Sequence, residues 1–397
     1  MLWMSMFLLG ILGLAIALVT AELTARAWLR RQGFFVRKRW EHIRLTLDRD
    51  ALPSLEPVVN IEINGEGERG DPLPTDRDGL YRVLVAGGSA AECGLLDQPS
   101  TWPAVMQELL NRPRSLSRLG AGRVHVGNVG RSMTPLEAVH DILKETLPRY
   151  DKLDLLVLMV GISDALDWLE RRTPAELPES CAVPEGYFEE NPRHRFAWSI
   201  KGLALKRLAG NVWRRVFRPV RERRNGGRRF VELRKRRNNS RRWVRTLPEA
   251  TPVLDRIERY LRLTIDLAHA KGARVILVRQ PWLDRVLKPE EEAVMWNFSW
   301  GRLCIEKEES AYYTHGAVRN LLQQVDRRLS RVASQLGVEQ VDLMPVLEAD
   351  LTHFYDFNHF TPEGARRTAE HTVAAVLGER KAAERLESVE SLSATTA

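Results

Sequence analysis

The chain has 397 residues, with 60 Lys and Arg against 52 Asp and Glu and a formal net charge of +8. Its three cysteines, Cys93, Cys181 and Cys304, lie far apart without C-x-x-C spacing, which argues against a disulfide scaffold and a cysteine zinc site. The histidines show no H-E-x-x-H spacing and no Walker-type G-x-x-x-x-G-K loop is present, so the sequence predicts neither a metal nor nucleotide hydrolysis.

The N-terminus is uncharged from position 2 to position 21, and 20 residues are the length that a helix needs to cross a hydrocarbon core. We therefore predict a transmembrane anchor over residues 1–23. A cleavable signal peptide is the main alternative, because Val19-Thr20-Ala21 resembles a small-residue cleavage site, but the segment lacks a basic n-region and its apolar run is long. A buried core helix is disfavoured because every face is apolar.

Basic residues crowd the carboxyl flank of this span, and residues 24–80 are predicted to form a juxtamembrane basic helix and a linker. The positive-inside rule would place the rest of the chain in the cytoplasm. These basic residues are Arg26, Arg30, Arg31, Arg37, Lys38 and Arg39.

The first strand of the main domain is predicted over residues 81–86, an apolar run that ends at Gly87-Gly88. Ser89 follows directly, and residues 101–110 have the apolar spacing of a helix. Ser89 should therefore lie at the carboxyl end of a strand, where open α/β sheets bind ligands.

A second chemical signal lies near the other end of the chain. Asp356 and His359 form a D-x-x-H pair, and Thr361 and Pro362 suit the N-cap and first position of a helix. The pair should lie on the loop that enters this helix, close enough for the carboxylate to contact the imidazole. A serine nucleophile needs a base to take its proton and a third group to orient that base, and Ser89, His359 and Asp356 suit these roles.

Strands near 273–278 and 338–342 alternate with helices near 253–271 and 318–336. This alternation predicts an α/β domain with a three-layer architecture, in which helices flank a parallel sheet. The domain should extend over residues 81–380 and be followed by a disordered tail over residues 381–397.

These segments resemble the conserved blocks of the SGNH (GDSL-like) hydrolase family, from about residue 81 to about residue 377. The family's G-D-S turn has Gly in place of Asp here, and its G-x-N-D block has Ser163 in place of Asn. The corresponding segments are Gly87-Gly88-Ser89, Asn128-Val129-Gly130, Gly161-Ile162-Ser163-Asp164 and Asp356-Phe357-Asn358-His359.

The resemblance implies an SGNH/flavodoxin-like fold and a membrane-anchored serine esterase that needs no cofactor. It also implies an oxyanion hole made by the backbone N–H groups of Ser89 and Gly130 and by the side chain of Ser163. One such donor contributes about 3–4 kcal/mol to the transition state, so the exchange of Asn for Ser163 matters. Anchored members of the family are expected to act outside the cytoplasm, in conflict with the basic flank.

The predicted substrate is an O-acylated saccharide or lipid. The alternatives are a catalytically silent SGNH-fold module that binds an acylated glycan or lipid, and an O-acyltransferase acting on envelope glycans.

A basic insertion of about residues 169–252 follows the third block. Positions 191–245 carry 20 Lys and Arg but only two acids, so the rest of the chain has a net charge of −10. Interleaved aromatic residues suit an anionic lipid surface, whereas the alternatives are a polyanionic glycan site and, for positions 218–242, a solvated loop. Nucleic acid is not expected, because no base-reading fold accompanies the charge.

Overall fold

The computed structural model describes residues 2–178, 184–193, 195–301 and 311–379. The helices within these residues are α1 Leu2–Arg30, α2 Ser89–Glu92, α3 Trp102–Leu110, α4 Pro113–Leu119, α5 Leu136–Thr146, α6 Ile162–Glu170, α7 Ala204–Phe217, α8 Arg228–Asn238, α9 Thr251–Ala270, α10 Pro289–Val294, α11 His315–Gln335 and α12 Pro362–Val376. The strands are β1 His42–Leu47, β2 Val58–Glu62, β3 Leu80–Gly87, β4 Arg123–Asn128, β5 Leu155–Met159, β6 Val220–Gly226, β7 Trp243–Val244, β8 Arg274–Arg279, β9 Ser299–Trp300, β10 Ala311–Tyr313 and β11 Glu339–Asp342.

The central sheet has five parallel strands in the order β11-β8-β5-β3-β4. Counted along the chain within this sheet, the order is 2-1-3-4-5, which is the flavodoxin-like order of doubly wound sheets. Every residue of β5 is buried, as expected for a central strand that is covered on both faces. The predicted fold class is confirmed.

Helices cover the two faces of this sheet in two groups. Helix α3 packs against α12, while α9 packs against α5 and α11. The chain reverses direction across the sheet between β3 and β5, and doubly wound folds bind ligands beyond the carboxyl ends of the strands at such a point. Ser89 follows β3 and Ser163 follows β5, so both lie at this position.

Helix α1 is the apolar N-terminal segment. It has a stretch from Trp3 to Arg30 that is long and apolar enough to span a membrane, and its most apolar window is not buried inside the protein. The same length and composition fit a signal sequence.

The segment after α1 differs from the predicted helix and linker over residues 24–80. The helix ends at Arg30, and β1 and β2 pair as an antiparallel hairpin with Ile43 opposite Ile61. Strand β1 also pairs with β6 in a parallel arrangement, which makes a three-stranded accessory sheet. Apolar side chains at alternate positions of both hairpin strands favour a half-buried strand over a linker.

The basic insertion is folded where it is described. Positions 218–242, for which a solvated loop is one prediction, contain β6 and α8. Arg237 is almost fully buried and forms an ion pair with Glu292 at 2.5 Å, and Arg234 donates to the carbonyl oxygens of Ala51 and Val294. The arginines therefore tie the insertion to the hairpin and to the main domain. The predicted tail over residues 381–397 lies outside the described residues.

Candidate active site

The turn between β3 and α2 holds Ser89 at the first position of α2. A Cβ added to Gly87 would lie 2.0 Å from the carbonyl oxygen of Met159 on β5, so only glycine allows this close approach. A Cβ added to Gly88 would lie 2.4 Å from the Ser163 hydroxyl oxygen. The glycine that replaces the family's Asp thus makes room for the Ser163 side chain.

The loop before α12 holds the other two predicted catalytic residues. The Thr361 side chain caps α12 by accepting a hydrogen bond from the Gly364 backbone N–H at 3.2 Å. The loop is closed by the Tyr355 N–H, which donates to the carbonyl oxygen of His359 at 3.0 Å. The cap and this backbone bond fix the position of the His359 ring.

The structure brings Ser89, His359 and Asp356 into one hydrogen-bonded line. The His359 Nε2 atom lies 2.7 Å from the Ser89 Oγ atom, across a separation of 270 residues along the chain. The His359 Nδ1 atom lies 2.9 Å and 2.8 Å from the two carboxylate oxygens of Asp356. The contact between Ser89 and His359 is within the range at which a nucleophile passes its proton to a general base. The contact between His359 and Asp356 suits a carboxylate that orients the ring.

Asp356 is fully buried and accepts several hydrogen bonds. Its Oδ1 atom accepts from the backbone N–H groups of Asn358 and His359 at 3.1 and 3.0 Å. Its Oδ2 atom accepts from the indole N–H of Trp296 at 2.7 Å. Burial acts to raise the pKa of Asp356, but the His359 charge and these hydrogen bonds outweigh it and hold the pKa below its usual range. The carboxylate is therefore ionised at neutral pH.

Trp296 was not predicted as a site residue. Trp296 donates to Asp356, and its ring is also nearly parallel to the His359 ring, with centroids 6.4 Å apart. The Tyr355 ring is likewise nearly parallel to the His359 ring, with centroids 5.4 Å apart. The sequence around Trp296 carries no motif that indicates this contact.

The three predicted oxyanion donors differ in their hydrogen-bond partners and in their exposure. Ser89 begins α2, and a helix cannot satisfy its first backbone N–H groups internally. The Gly130 N–H, however, donates to the Asn128 side-chain oxygen at 2.8 Å. The Ser163 side chain lies against Gly88 and is 8% exposed.

Asp164, the residue after Ser163, has a structural contact. Its Oδ1 atom accepts from the Leu136 N–H at the start of α5 at 2.9 Å, whereas its buried Oδ2 atom has no hydrogen-bond partner within the described chain. Burial raises the pKa of Asp164 to about 7. The residue links α6 to α5, and its burial favours the neutral carboxylic acid.

Two arginines brace the turn that follows Ser89. Arg69 is buried and donates to the carbonyl oxygens of Glu92, Cys93 and Leu96 at 2.7–2.9 Å. Burial lowers the pKa of Arg69 to about 10, so it remains charged at neutral pH. Arg37 forms an ion pair with Glu92 at 2.7 Å and donates to the Gly130 carbonyl oxygen at 3.0 Å. The segment between α1 and the main domain therefore supports the turn that carries Ser89.

Glu92 and Cys93 complete this turn. Burial acts to raise the pKa of the Glu92 carboxyl, but the Arg37 charge and the hydrogen bonds from Ser132 outweigh it, so the pKa is below its usual range. Burial raises the pKa of the Cys93 thiol to about 12, so this thiol is not a nucleophile at neutral pH. Cys181 and Cys304 lie outside the described residues.

A cavity of about 420 Å³ opens beside Ser89 and His359. It lies within the usual range of about 300–1,000 Å³ for small-molecule sites. One wall is the β1–β2 hairpin, and Phe230 of the insertion and Trp296 lie elsewhere on its surface. The accessory elements therefore shape the space in front of the candidate nucleophile.

No protein-family model matches the chain, and no curated protein matches it. Among solved structures, the chain is similar to a lipolytic protein of the G-D-S-L family from Veillonella parvula, with 11% identity, a TM-score of 0.38, and coverage of 74% of this chain and 96% of the other. It is also similar to an acetylxylan esterase from Geobacillus stearothermophilus, with 14% identity, a TM-score of 0.40, and coverage of 75% and 94%.

A third similar structure is the aryl esterase of M. smegmatis, with 13% identity, a TM-score of 0.38, and coverage of 75% of this chain and 98% of the other. The chain resembles SGNH (GDSL-like) hydrolases in fold, as the sequence predicts. Because identities are low and the TM-scores are below 0.5, function is inferred from the geometry of the chain's own residues.

Proposed function

We propose that the protein is a membrane-anchored serine esterase of the SGNH type, which hydrolyses an O-acylated saccharide or lipid through Ser89, His359 and Asp356. The observation that carries the proposal is the 2.7 Å contact between Ser89 Oγ and His359 Nε2, backed by the buried, ionised Asp356. Ser89 and His359 border the cavity, which opens where the chain reverses direction across the sheet between β3 and β5.

The proposed reaction has two steps. The Ser89 oxygen attacks the ester carbonyl carbon while His359 Nε2 takes the hydroxyl proton, and Asp356 holds the Nδ1–H and stabilises the imidazolium. The bond to the alcohol then breaks, and His359 gives the proton to the departing oxygen. In the second step, water attacks the acyl-enzyme, His359 takes and returns a proton, and the carboxylic acid and free Ser89 are released.

Hydrolysis of a small aryl acetate by the full-length protein tests this proposal. We expect release of the phenol that follows saturation kinetics and stops when Ser89 reacts with a fluorophosphonate. A folded protein that is inert towards aryl acetates and also towards aryl esters of longer acyl chains would contradict it.

A silent binding module is the second candidate, because Ser163 stands where the family has an amide donor and the Gly130 N–H already donates to Asn128. An O-acyltransferase would use the same acyl-enzyme but pass the acyl group to a second alcohol instead of water. Aryl acetate turnover excludes the silent module, and an acceptor alcohol that competes with water identifies the transferase.

The Ser163 hydroxyl is proposed as an oxyanion donor, and its removal gives a measurable result. Ser163→Ala is expected to lower kcat by about 100- to 1,000-fold with little change in KM, since oxyanion donors act mainly in the transition state. Ser163→Asn, which restores the family's amide, should match or exceed the wild type. Equal kcat values for Ser163→Ala and the wild type would remove Ser163 from the oxyanion hole.

The anchor is proposed to be α1, with α7 of the insertion lying at the membrane surface. The carboxylate of Glu22, the first charged residue after the apolar span, accepts from the backbone N–H groups of Ala204 and Leu205 at 2.9 and 3.0 Å. This contact fixes the start of α7 beside the end of the span, and Ala204 packs in a small cluster with Ala25 and Leu29.

The outer face of α7 carries large apolar side chains in a position to enter the interface. Four residues at helical spacing form this face, each more than half exposed, namely Val212, Trp213, Val216 and Phe217. Lys and Arg residues of the same insertion flank them, and each such charge near an anionic leaflet contributes about 1 kcal/mol. Apolar and aromatic residues bordered by basic residues are typical of interfacial helices.

A nitroxide at Val216→Cys tests the position of α7 in the full-length protein in liposomes, with Cys181 and Cys304 replaced by serine. We expect its collision rate with oxygen to exceed that with a water-soluble nickel chelate, as for lipid-exposed sites. A nitroxide at Arg114→Cys, on exposed helix α4, is the matched aqueous control. An aqueous signal at both positions would contradict the interfacial placement.

A further inference from the structure

The wall of the cavity that faces Ser89 from the accessory sheet is aliphatic. It is formed by four side chains from alternate positions of the hairpin, Ile43 and Leu45 on β1, and Ile61 and Ile63. Ile43 and Ile63 are buried, while Leu45 and Ile61 are half-buried and keep exposed apolar surface that a ligand can cover.

The backbone of this wall has little capacity for a polar ligand. Strand β1 pairs with β2 on one side and with β6 on the other, so the ladders on its two sides take up its N–H and C=O groups. A saccharide needs polar partners for its hydroxyl groups, because an unpaired buried hydroxyl costs free energy. The four side chains of this wall offer methyl and methylene groups only, which suit a hydrocarbon chain.

Charged lining residues border this aliphatic face. Glu41, two positions before Ile43, forms an ion pair with Arg221, and Arg223 on β6 is the register partner of Leu45. Arg37 is paired with Glu92, while Arg223 and Glu189 are exposed at the surface. A polar head group would therefore meet charges, and the chain behind the carbonyl would meet the hairpin.

We infer that the site binds esters of a hydrophobic acyl chain of several carbons, with the chain against Ile43, Leu45, Ile61 and Ile63. This inference rests on the proposed esterase function and specifies its substrate class. The accessory sheet, which lies outside the five-stranded core, thus determines acyl specificity. An acetyl group is too short to use this wall.

Hydrolysis of p-nitrophenyl esters of two, four, six and eight acyl carbons by the full-length protein in lipid nanodiscs tests the inference. We expect kcat/KM to rise about two- to fourfold per added methylene until the chain fills the wall, the equivalent of up to ~0.8 kcal/mol per methylene. A flat or falling series, with the acetate still hydrolysed through Ser89, would overturn the inference and leave the esterase proposal intact. Inertness towards every ester would overturn the esterase proposal, and the inference with it.

Neighbouring residues on β1 provide a matched pair of variants. Leu45 faces the cavity, and Arg44 is exposed on the other face of the strand. Leu45→Thr should lower the ratio of octanoate to acetate kcat/KM by about fivefold or more, by analogy with the loss of two methylenes. Arg44→Thr should leave this ratio unchanged. Because the ratio is taken within one protein, a smaller folded fraction cancels, and equal ratios in both variants would overturn the inference.

Discussion

Alanine in place of Ser89 is expected to lower kcat for aryl ester hydrolysis by about 10⁴- to 10⁶-fold. The variant lacks the oxygen that lies 2.7 Å from His359 Nε2, so no acyl-enzyme forms. Because Ser89 and His359 act as a unit, the double variant with His359→Ala should be no slower than Ser89→Ala alone. Stopped assays with purified full-length protein measure both values.

Ser100→Ala is the control for this loss. The Ser100 hydroxyl donates to Glu56 at 2.7 Å and does not line the cavity beside Ser89, so its removal should leave kcat unchanged. If Ser89→Ala kept a tenth or more of the wild-type kcat, the nucleophile would have to be another group.

Asn in place of Asp356 should lower kcat by about 10⁴-fold. The wild-type carboxylate accepts from His359, Trp296 and two backbone N–H groups, whereas an amide has a single acceptor oxygen. An amide N–H facing His359 Nδ1 would force the ring proton onto Nε2, which could then no longer accept the proton of Ser89. KM should change little, since Asp356 is fully buried and does not line the cavity beside Ser89.

A second D-x-x-H pair gives an unusually close control. Asp350 accepts from His353 Nδ1 at 3.0 Å and from the backbone N–H groups of Thr352 and His353, as Asp356 does with its own histidine. Asp350→Asn should keep wild-type kcat, because His353 does not contact Ser89. Equal losses in both variants would mean that folding and not catalysis is affected.

The pH at which the variants are compared follows from the pKa of Asp356. The folded pKa is depressed, so the ionised carboxylate stabilises the fold above the unfolded value of about 3.9, and this contribution is lost as the pH falls through the folded pKa. Assays at pH 7–8, with thermal unfolding as a check, therefore compare the wild type with its carboxylate fully ionised.

The sequence was sufficient to predict the central sheet. Runs such as residues 155–160 are apolar throughout, which is typical of a strand that is buried on both faces, and glycines mark where β3 and β5 end. The accessory sheet was missed because β1 and β6 are about 180 residues apart, and the highly charged β6 has no apolar alternation. Strand pairing across such a distance leaves no local signal.

Some contacts of the candidate site could likewise be predicted from the sequence, and others could not. The contact between Ser89 and His359 was predicted from block order and a family resemblance. The hydrogen bond from Trp296 to Asp356 and the hydrogen bond from Arg69 to the Glu92 carbonyl oxygen depend on loop positions that only the folded chain defines. The Asn128 bond to the Gly130 N–H also could not be read from residue types, because it depends on the rotamer of one side chain.

Fluorophosphonate labelling of the full-length protein, followed by peptide mapping, tests the central claim most directly. We predict one adduct, on Ser89, which is absent in Ser89→Ala and strongly reduced in His359→Ala, because only a serine whose proton is taken by a base reacts readily. An adduct on another serine such as Ser132, which also lines the cavity, or no adduct on a protein that hydrolyses esters, would contradict the account.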